Sequence, residues 1–579
     1  MDENVKKNYE YWCTSPIFDD ATKSELKSLE GNEDEIFDRF YRELEFGTGG
    51  LRGVIGAGTN RMNFYTVGKA TQGLANFINK QGAAAKGVAI AFDSRRMSPE
   101  FADTAACVLA ANGIKAYIFD SLRPTPELSF ALRTLGCTAG IVVTASHNPP
   151  EYNGYKVYWE DGAQITAPKD AQIIGEVNAI KDYAEIKKMT TEEAKAAGLY
   201  EVIGKEIDDK YMEALKKLVL HPEAIKQMAS SLKIVYTPLH GTGNVPVRRV
   251  LKELGFTHVY VVPEQELPDG EFPTVSYPNP EAAEAFELAL ALAKEKNADL
   301  VLATDPDADR LGVYVKDAKS GEYIPLTGNM SGSLLCEYVL SQKQAEGKIP
   351  ADGQVVKSIV STNLIDAVAK AYGAELIEVL TGFKWIGKQI LKNETTGTGT
   401  YLFGMEESYG CLIGTYARDK DAISATAALC EAAAYYKQKG MTLWDAMVAM
   451  YEKYGYYKDS VKSIGLSGIE GLAKIQSIME TLRNNTPAEV GGYKVVSARD
   501  YKLDTIRDME TGAVKPTGLP ASNVLYYDLE DGAWICVRPS GTEPKIKFYF
   551  GVKGTSLEDA DQKEADLGAA VMAMVDKMM

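Results

Sequence analysis

Short continuous apolar runs rich in β-branched residues alternate along this chain with longer stretches whose apolar positions recur at helical spacing. That pattern predicts layered α/β domains with parallel or mixed sheets. The alternation occurs three times. Residues 87–94 (GVAIAFDS), a helical stretch from Pro99, residues 115–120 (KAYIFD) and residues 140–148 (GIVVTASHN) read as strands separated by helices. Residues 232–238 (LKIVYTP), 258–264 (HVYVVPE), a helix-like 281–296 and 298–310 (ADLVLATDPDADR) repeat the order. Residues 354–362 (QVVKSIVST), 374–382 (AELIEVLTG) and 400–408 (TYLFGMEES) give it a third time. In each block the last strand runs into a polar motif, and open α/β sheets bind ligands beyond the carboxyl ends of their strands. Three similar domains are therefore expected to aim three polar loops at one cleft.

The 579 residues are too many for one core. Residues 183–215, rich in Lys, Glu and Ala, predict a helical linker. From about residue 456 the composition shifts to shorter strands, a turn at Gly491-Gly492 and a terminal helix, predicting an α+β domain. The expected domains are 1–205, 206–324, 325–455 and 456–579. Charge narrows the partners, because 63 basic against 80 acidic side chains leave −17, which repels nucleic acid and anionic membranes. The amino terminus lacks the apolar core of a signal peptide, and no apolar run is long enough to span a bilayer. Seven scattered cysteines without metal-ligand spacing fit a reducing cytoplasm.

Four motifs carry candidate chemistry. Thr144-Ala145-Ser146-His147-Asn148-Pro149-Pro150 follows the apolar strand and suits an exposed hydroxyl nucleophile, with a plain polar turn as the competing reading. A turn at Asn153-Gly154 is expected to return Lys156 toward the same loop. Asp305, Asp307 and Asp309, at alternate positions after a buried run, would repel one another unless a cation neutralised them, and all-oxygen ligation selects a hard metal such as Mg²⁺. Arg310 beside them is placed to hold a phosphate. Glu406 and Ser408, between glycines, suit vicinal sugar hydroxyls, although a helix N-terminus would look the same. Arg538, Ser540, Gly541 and Thr542, between two apolar strands, make a phosphate cradle or a simple hairpin loop. No P-loop or complete GxGxxG occurs, since Arg52 stands where the last glycine belongs. From chemistry alone, an aspartyl phosphatase with Asp305 as nucleophile and Asp307 as acid/base, and a non-catalytic sugar-phosphate sensor, remain in competition.

These motifs, in this order, resemble the α-D-phosphohexomutase family over the whole chain. TASHNPPEYNGYK looks like its phosphoserine loop, DPDADR its magnesium loop, GMEES its sugar-recognition loop and RPSGTEPK its phosphate-binding loop, with EFGTGGLRG, TPLHGTG and LTGFKWIG as further matching stretches. Loop wording and length are closest to the phosphoglucomutases and a related phosphopentomutase branch. The resemblance implies three related α/β domains with mixed sheets and a carboxyl-terminal α+β domain like the TATA-binding protein. It implies that Ser146 bears the phosphoryl group, that Ser146 with Asp305, Asp307 and Asp309 holds Mg²⁺, and that Arg52, His147 and Lys156 surround the transferring group, with Lys156 a candidate for acid/base work. It further implies that Thr381, Gly382 and Lys384 line a specificity loop, that Glu406 and Ser408 hold the sugar, and that Arg538, Ser540, Gly541 and Thr542 grip the distal phosphate. The implied reaction interconverts glucose 1-phosphate and glucose 6-phosphate through glucose 1,6-bisphosphate. Mannose and pentose phosphates are the alternative substrates.

Overall fold

In the computed structural model, which describes residues 2–47, 49–466, 468–540 and 545–579, the predicted recurrence is a recurrence of sheet topology. The first sheet runs in the order Gly50–Val54, Tyr152–Trp159, Ala139–Val143, Val88–Phe92, Ala116–Phe119, Tyr200–Ile203. Val88–Phe92 pairs in parallel with its two neighbours, and Tyr152–Trp159 closes the other side antiparallel. The second sheet repeats this order: Tyr323–Leu326, Leu311–Lys316, Leu300–Thr304, Lys233–Thr237, His258–Val261, with two antiparallel pairings followed by two parallel ones. In the third, Gly353–Ser358 lies in parallel between Glu375–Val379 and Thr400–Glu406. Ser146, Asp305 and Ser408 each follow the corresponding strand of their block.

The central strands Val88–Phe92, Ala139–Val143 and Leu300–Thr304 are buried at every position, which is why their sequences are continuous apolar runs rather than alternating ones. Alternation still decides which face each side chain serves. Val88, Ile90 and Phe92 join a core with helices Phe64–Lys80 and Ser98–Ala111, while Ala89 and Ala91 pack with Leu128 and Leu132 of Thr125–Leu135 on the other face. The fourth sheet is antiparallel in all its assigned pairings, and helices Gly468–Asn484 and Leu557–Asp576 supply Ile475, Ile478, Leu567 and Val571 to its core. The expected turn at Gly491-Gly492 is present and joins Glu489–Val490 to Tyr493–Asp500 as a hairpin, both glycines having positive φ.

The chain divides into two compact units. One comprises Met1–Leu326, Phe383–Gly397 and Tyr409–Thr442; the other comprises Thr327–Gly382, Thr398–Ser408 and Leu443–Met579. No helix among the described residues is long and apolar enough to cross a membrane.

One feature departs from the sequence reading, and another lies where it assigned no elements. The stretch 183–215 is not a helical linker throughout: Tyr200–Ile203 pairs in parallel with Ala116–Phe119 as an edge strand of the first sheet. Its middle positions, Glu201 and Val202, are exposed and none of its four is buried, so it lacks the buried apolar run that marks the central strands. The first forty residues form three helices, Glu3–Thr14, Asp20–Lys27 and Glu33–Phe40, capped by the side chains of Asp2, Asp19 and Asn32. They are held by Trp12, which stacks on Phe18 at 4.2 Å and meets Tyr65 and Tyr183 edge-on. We expect Trp12→Ala to cost about 3 to 5 kcal/mol of local stability. Limited proteolysis should then cut within residues 3–40 faster, with the carboxyl-terminal sheet as unaffected internal control.

Candidate active site

The strand Ala139–Val143 delivers Ser146 into a turn where its φ is 52°, a left-handed conformation that non-glycine residues seldom adopt. Ala308 in the aspartate loop (φ 51°) and Tyr409 after the Glu406 loop (φ 64°) share it. Such residues cost about 1 to 3 kcal/mol each and persist only where their surroundings hold them.

For Ser146 the holding group is Arg95. Its guanidinium is buried and donates to the carbonyls of Ser146, Asn148, Pro149 and Tyr152, so one side chain satisfies four carbonyls of the loop. Buried Asp93 pairs with Arg95 and accepts from the hydroxyls of Ser98 and Thr144, and Thr144 Oγ1 in turn accepts the Ser146 N–H at 2.8 Å. Neither Asp93 nor Arg95 was singled out from sequence. The signal available was a charged Asp93-Ser94-Arg95-Arg96 stretch directly after a buried strand.

The serine hydroxyl expected to be exposed is buried. Ser146 is 3% exposed, and its Oγ donates to Asp305 Oδ2 at 2.8 Å and lies 3.2 Å from His147 Nδ1. Burial, aided by Arg310 and Arg52, holds the His147 ring well below the usual imidazole range, so it is neutral. Lys156 is not returned by a turn. It lies in the strand Tyr152–Trp159, opposite Val142 and Gly50. Gly154 permits this pairing, since a Cβ there would stand 2.4 Å from the Thr144 carbonyl. Arg52 projects from the neighbouring strand, exposed, and donates to Asn148 Oδ1 at 3.2 Å.

Asp305, Asp307 and Asp309 are all buried and can bring one oxygen each within 4.8 Å of one another. Asp305 Oδ1 accepts the N–H groups of Asp309 and Arg310. Asp307 Oδ2 accepts from Lys156 Nζ and Thr125 Oγ1, both at 2.8 Å. Lys420 Nζ lies 3.3 Å from Asp309 Oδ2. Burial and the two neighbouring carboxylates push Asp305 well above the usual carboxyl range; burial acts on Asp307 in the same direction, but the Lys156 ammonium holds it low. Burial alone would depress Lys156, yet Asp307, Asp309 and Asp419 keep it cationic. Oδ1 of Asp307 and Oδ1 of Asp309 are buried with no hydrogen-bond partner. Three buried carboxylates with one oxygen each within 4.8 Å of one another, two of them carrying an oxygen without a hydrogen bond, fit a hard divalent cation. Arg310, expected at a phosphate, pairs with Glu281.

The TPLHGTG stretch supports this loop from below. Thr242 N–H donates to the Pro306 carbonyl at 2.8 Å, and a Cβ on Gly241 would stand 2.5 Å from Pro306 Cα. Lys420 was missed from sequence. Its signal is the alternating Arg418-Asp419-Lys420-Asp421 before the buried helix Ala422–Gln438, where Asp421 caps the helix and Asp419 accepts from Tyr158.

The same compact unit contains Lys384, whose ammonium burial depresses and which lies 5.7 Å from the Trp385 ring centre. The other unit contains Thr381, Gly382, Glu406, Ser408, Arg538 and Ser540. There Glu406 Oε1 accepts the Gly382 N–H at 2.6 Å, joining the proposed sugar and specificity loops. The Glu406 segment is a turn between strands, not a helix N-terminus. Arg538 stands on a strand paired with Lys545–Gly554, as a hairpin requires, and donates to Tyr549 Oη at 3.2 Å. Gly541 and Thr542 lie outside the described residues. Removing Arg95 should leave Asp93 buried and unpaired, so Arg95→Met is expected to cost about 3 to 5 kcal/mol. In denaturant unfolding, adding Asp93→Asn should recover part of the loss; two independent, additive losses would contradict the coupling.

Comparison with known proteins fits this arrangement. Models of the phosphoglucomutase/phosphomannomutase alpha/beta/alpha domains I, II and III match residues 43–184, 209–321 and 327–454, and the model of the C-terminal domain of the same proteins matches 480–566. A phosphoglucomutase of Staphylococcus epidermidis is 38% identical over 525 residues, covering 90% of this chain and 93% of its own. One from Staphylococcus aureus (strain MRSA252) is 37% identical, covering 94% and 96%. Among solved structures, the open form of the Paramecium phosphoglucomutase pp63/parafusin shares the fold, with a TM-score of 0.68 at 19% identity over 93% of this chain and 95% of that one.

Proposed function

The chain belongs to the phosphoglucomutase/phosphomannomutase family, and from that premise we propose that it is a phosphoglucomutase, an isomerase interconverting glucose 1-phosphate and glucose 6-phosphate by phosphoryl transfer through Ser146. The observation that carries the role of Ser146 is its hydroxyl, held in a left-handed turn with Oγ 2.8 Å from a carboxylate of a buried aspartate triad.

With phospho-Ser146 as donor, the phosphoryl group passes from Oγ to the free C6 hydroxyl of glucose 1-phosphate. The P–Oγ bond breaks, a P–O6 bond forms, and the hydroxyl proton moves to a base while Oγ regains one. Glucose 1,6-bisphosphate results. After it turns over, Oγ attacks the phosphorus at C1 and glucose 6-phosphate leaves. Asp305, Asp307 and Asp309 are the residues that would hold Mg²⁺, which neutralises charge on the transferring oxygens when bound. Lys156, kept cationic by its carboxylates, is assigned to a phosphoryl oxygen and as the candidate for acid/base work. Neutral His147 presents Nδ1 to the serine oxygen. Arg52 and Arg310 add positive charge at the mouth of the loop. In the second unit, Glu406 and Ser408 are assigned to sugar hydroxyls, and Arg538 with Ser540, Gly541 and Thr542 to the phosphate not being transferred; Thr381 and Gly382 there, and Lys384 of the first unit, are assigned to specificity. Domain boundaries near 205, 324 and 455 accompany this reading. No disulfide joins the cysteines among the described residues, which supports a cytoplasmic location.

The aspartyl phosphatase alternative has less support, because all four matching domain models and the relatives are phosphoglucomutase or phosphomannomutase proteins and Asp305 Oδ2 accepts from the Ser146 hydroxyl. A coupled assay with the 1-phosphates of glucose, mannose and a pentose tests the substrate, and glucose 1-phosphate should give the highest kcat/KM.

Ser146→Ala should abolish turnover while sugar-phosphate binding, followed by calorimetry, is retained, because only the acceptor oxygen is lost. Wild-type rates in protein free of contaminating mutase would overturn the covalent route. Arg538→Ala should raise the barrier in kcat/KM for glucose 1-phosphate by about 1.5 to 3 kcal/mol, the worth of a hydrogen bond to a charged group. Hydrolysis of the phosphoenzyme by water, which has no distal phosphate to hold, should keep its rate; equal losses in both would contradict the assignment.

A further inference from the structure

Within the aspartate triad, the two carboxylate oxygens of Asp307 are in opposite states. Oδ2 accepts from Lys156 Nζ and Thr125 Oγ1, each at 2.8 Å, whereas Oδ1 is buried and has no partner. Thr125 is fully buried at the start of the helix Thr125–Leu135, in the segment that follows the first sheet's strand Ala116–Phe119. It reaches Asp307 twice, since its N–H also donates to the Asp307 carbonyl at 2.9 Å.

We propose that Thr125 is a positioning residue for the metal site, its hydroxyl fixing the rotation of the Asp307 carboxylate so that Oδ1 is the oxygen offered to a hard divalent cation. The proposal rests on the reading of Asp305, Asp307 and Asp309 as a metal site. A hydroxyl has one proton to give, and here it goes to Oδ2. That contact, with the Lys156 ammonium on the same oxygen, favours the carboxylate rotation that keeps Oδ2 on its donors and leaves Oδ1 without one. Lys156 serves the same oxygen, but through a flexible four-carbon stem, and in the proposed reaction its ammonium is shared with the phosphoryl group. Threonine is stiff at χ1 and has no solvent to turn toward, so its contact persists when the lysine moves. Partners of metal-binding carboxylates generally matter in this way, their removal costing about 10- to 100-fold in metal affinity.

The two contacts separate the chemical role from the structural one. The backbone N–H bond to the Asp307 carbonyl survives any side chain, so Thr125→Val retains the shape of threonine and the docking of helix on loop while deleting only the O–H. Thr125→Ser restores the O–H. The experiment titrates Mn²⁺, with Mg²⁺ as competitor, into wild type, Thr125→Val and Thr125→Ser by calorimetry and by water-proton relaxation, with melting in EDTA as the check on folding. The expected result is Mn²⁺ binding about 10- to 100-fold weaker in Thr125→Val, near wild type in Thr125→Ser, with similar melting of all three without metal. The Mg²⁺ concentration giving half-maximal activity should shift by the same factor, while kcat at saturating Mg²⁺ stays close to wild type. Thr125→Ala, which also lacks the hydroxyl, gives the same readout if the valine variant does not fold. Wild-type affinity in Thr125→Val or Thr125→Ala, or equally weak binding in Thr125→Ser, overturns the proposal while leaving the metal site standing. Absence of Mg²⁺-competed Mn²⁺ binding in wild type overturns the metal reading itself and this inference with it.

Discussion

Removing a carboxylate from water costs several kcal/mol unless charge and hydrogen bonds replace the lost solvent, and the loop after Leu300–Thr304 removes three at once. Much of the surrounding structure answers that cost. Lys156 comes from the antiparallel strand of the first sheet, Thr125 from the start of one of its helices, Lys420 from the segment before Ala422–Gln438, and Ser146 from the end of a parallel strand. These donors still leave one oxygen each on Asp307 and Asp309 without a hydrogen bond, the Asp309 one lying 3.9 Å from Arg310 Nε. Those oxygens are what a hard divalent cation would take up, and the Ser146 hydroxyl lies 2.8 Å from Asp305 of the same loop.

The repeated sheet order explains how residues so far apart in sequence meet. In the first two sheets the loop-bearing strand lies between a parallel strand and an antiparallel hairpin partner, so its carboxyl end is anchored from both sides. Such anchoring lets the loops carry strained residues at Ser146 and Ala308, and Arg95 and the Gly241 turn brace them from beneath.

Much of this was legible in the sequence because buried parallel strands have a strong signature. The runs before Ser146, Asp305 and Glu406 are continuous and apolar, and the polar motifs follow them at once. What escaped was chemistry with no local mark. Arg95 acts through donation to backbone carbonyls, Thr125 through a contact spanning 182 positions, and Lys420 through the folding of a charged stretch onto Asp309. Residue type and spacing do not encode such contacts; tertiary packing makes them. The edge strand Tyr200–Ile203 was hidden for the opposite reason, since exposure removes the need for an apolar run. The turn expected before Lys156 is a strand because Gly154 fits against a neighbouring carbonyl, and glycine in sequence reads first as a turn.

The central claim is that the phosphoryl group travels on Ser146. Incubating the protein with Mg²⁺ and glucose 1,6-bisphosphate, then locating the phosphoryl adduct by intact mass and peptide mapping, tests it most directly. The account predicts a single, substrate-dischargeable adduct on the peptide containing Ser146. An adduct on Asp305, or none under conditions that support turnover, would contradict it.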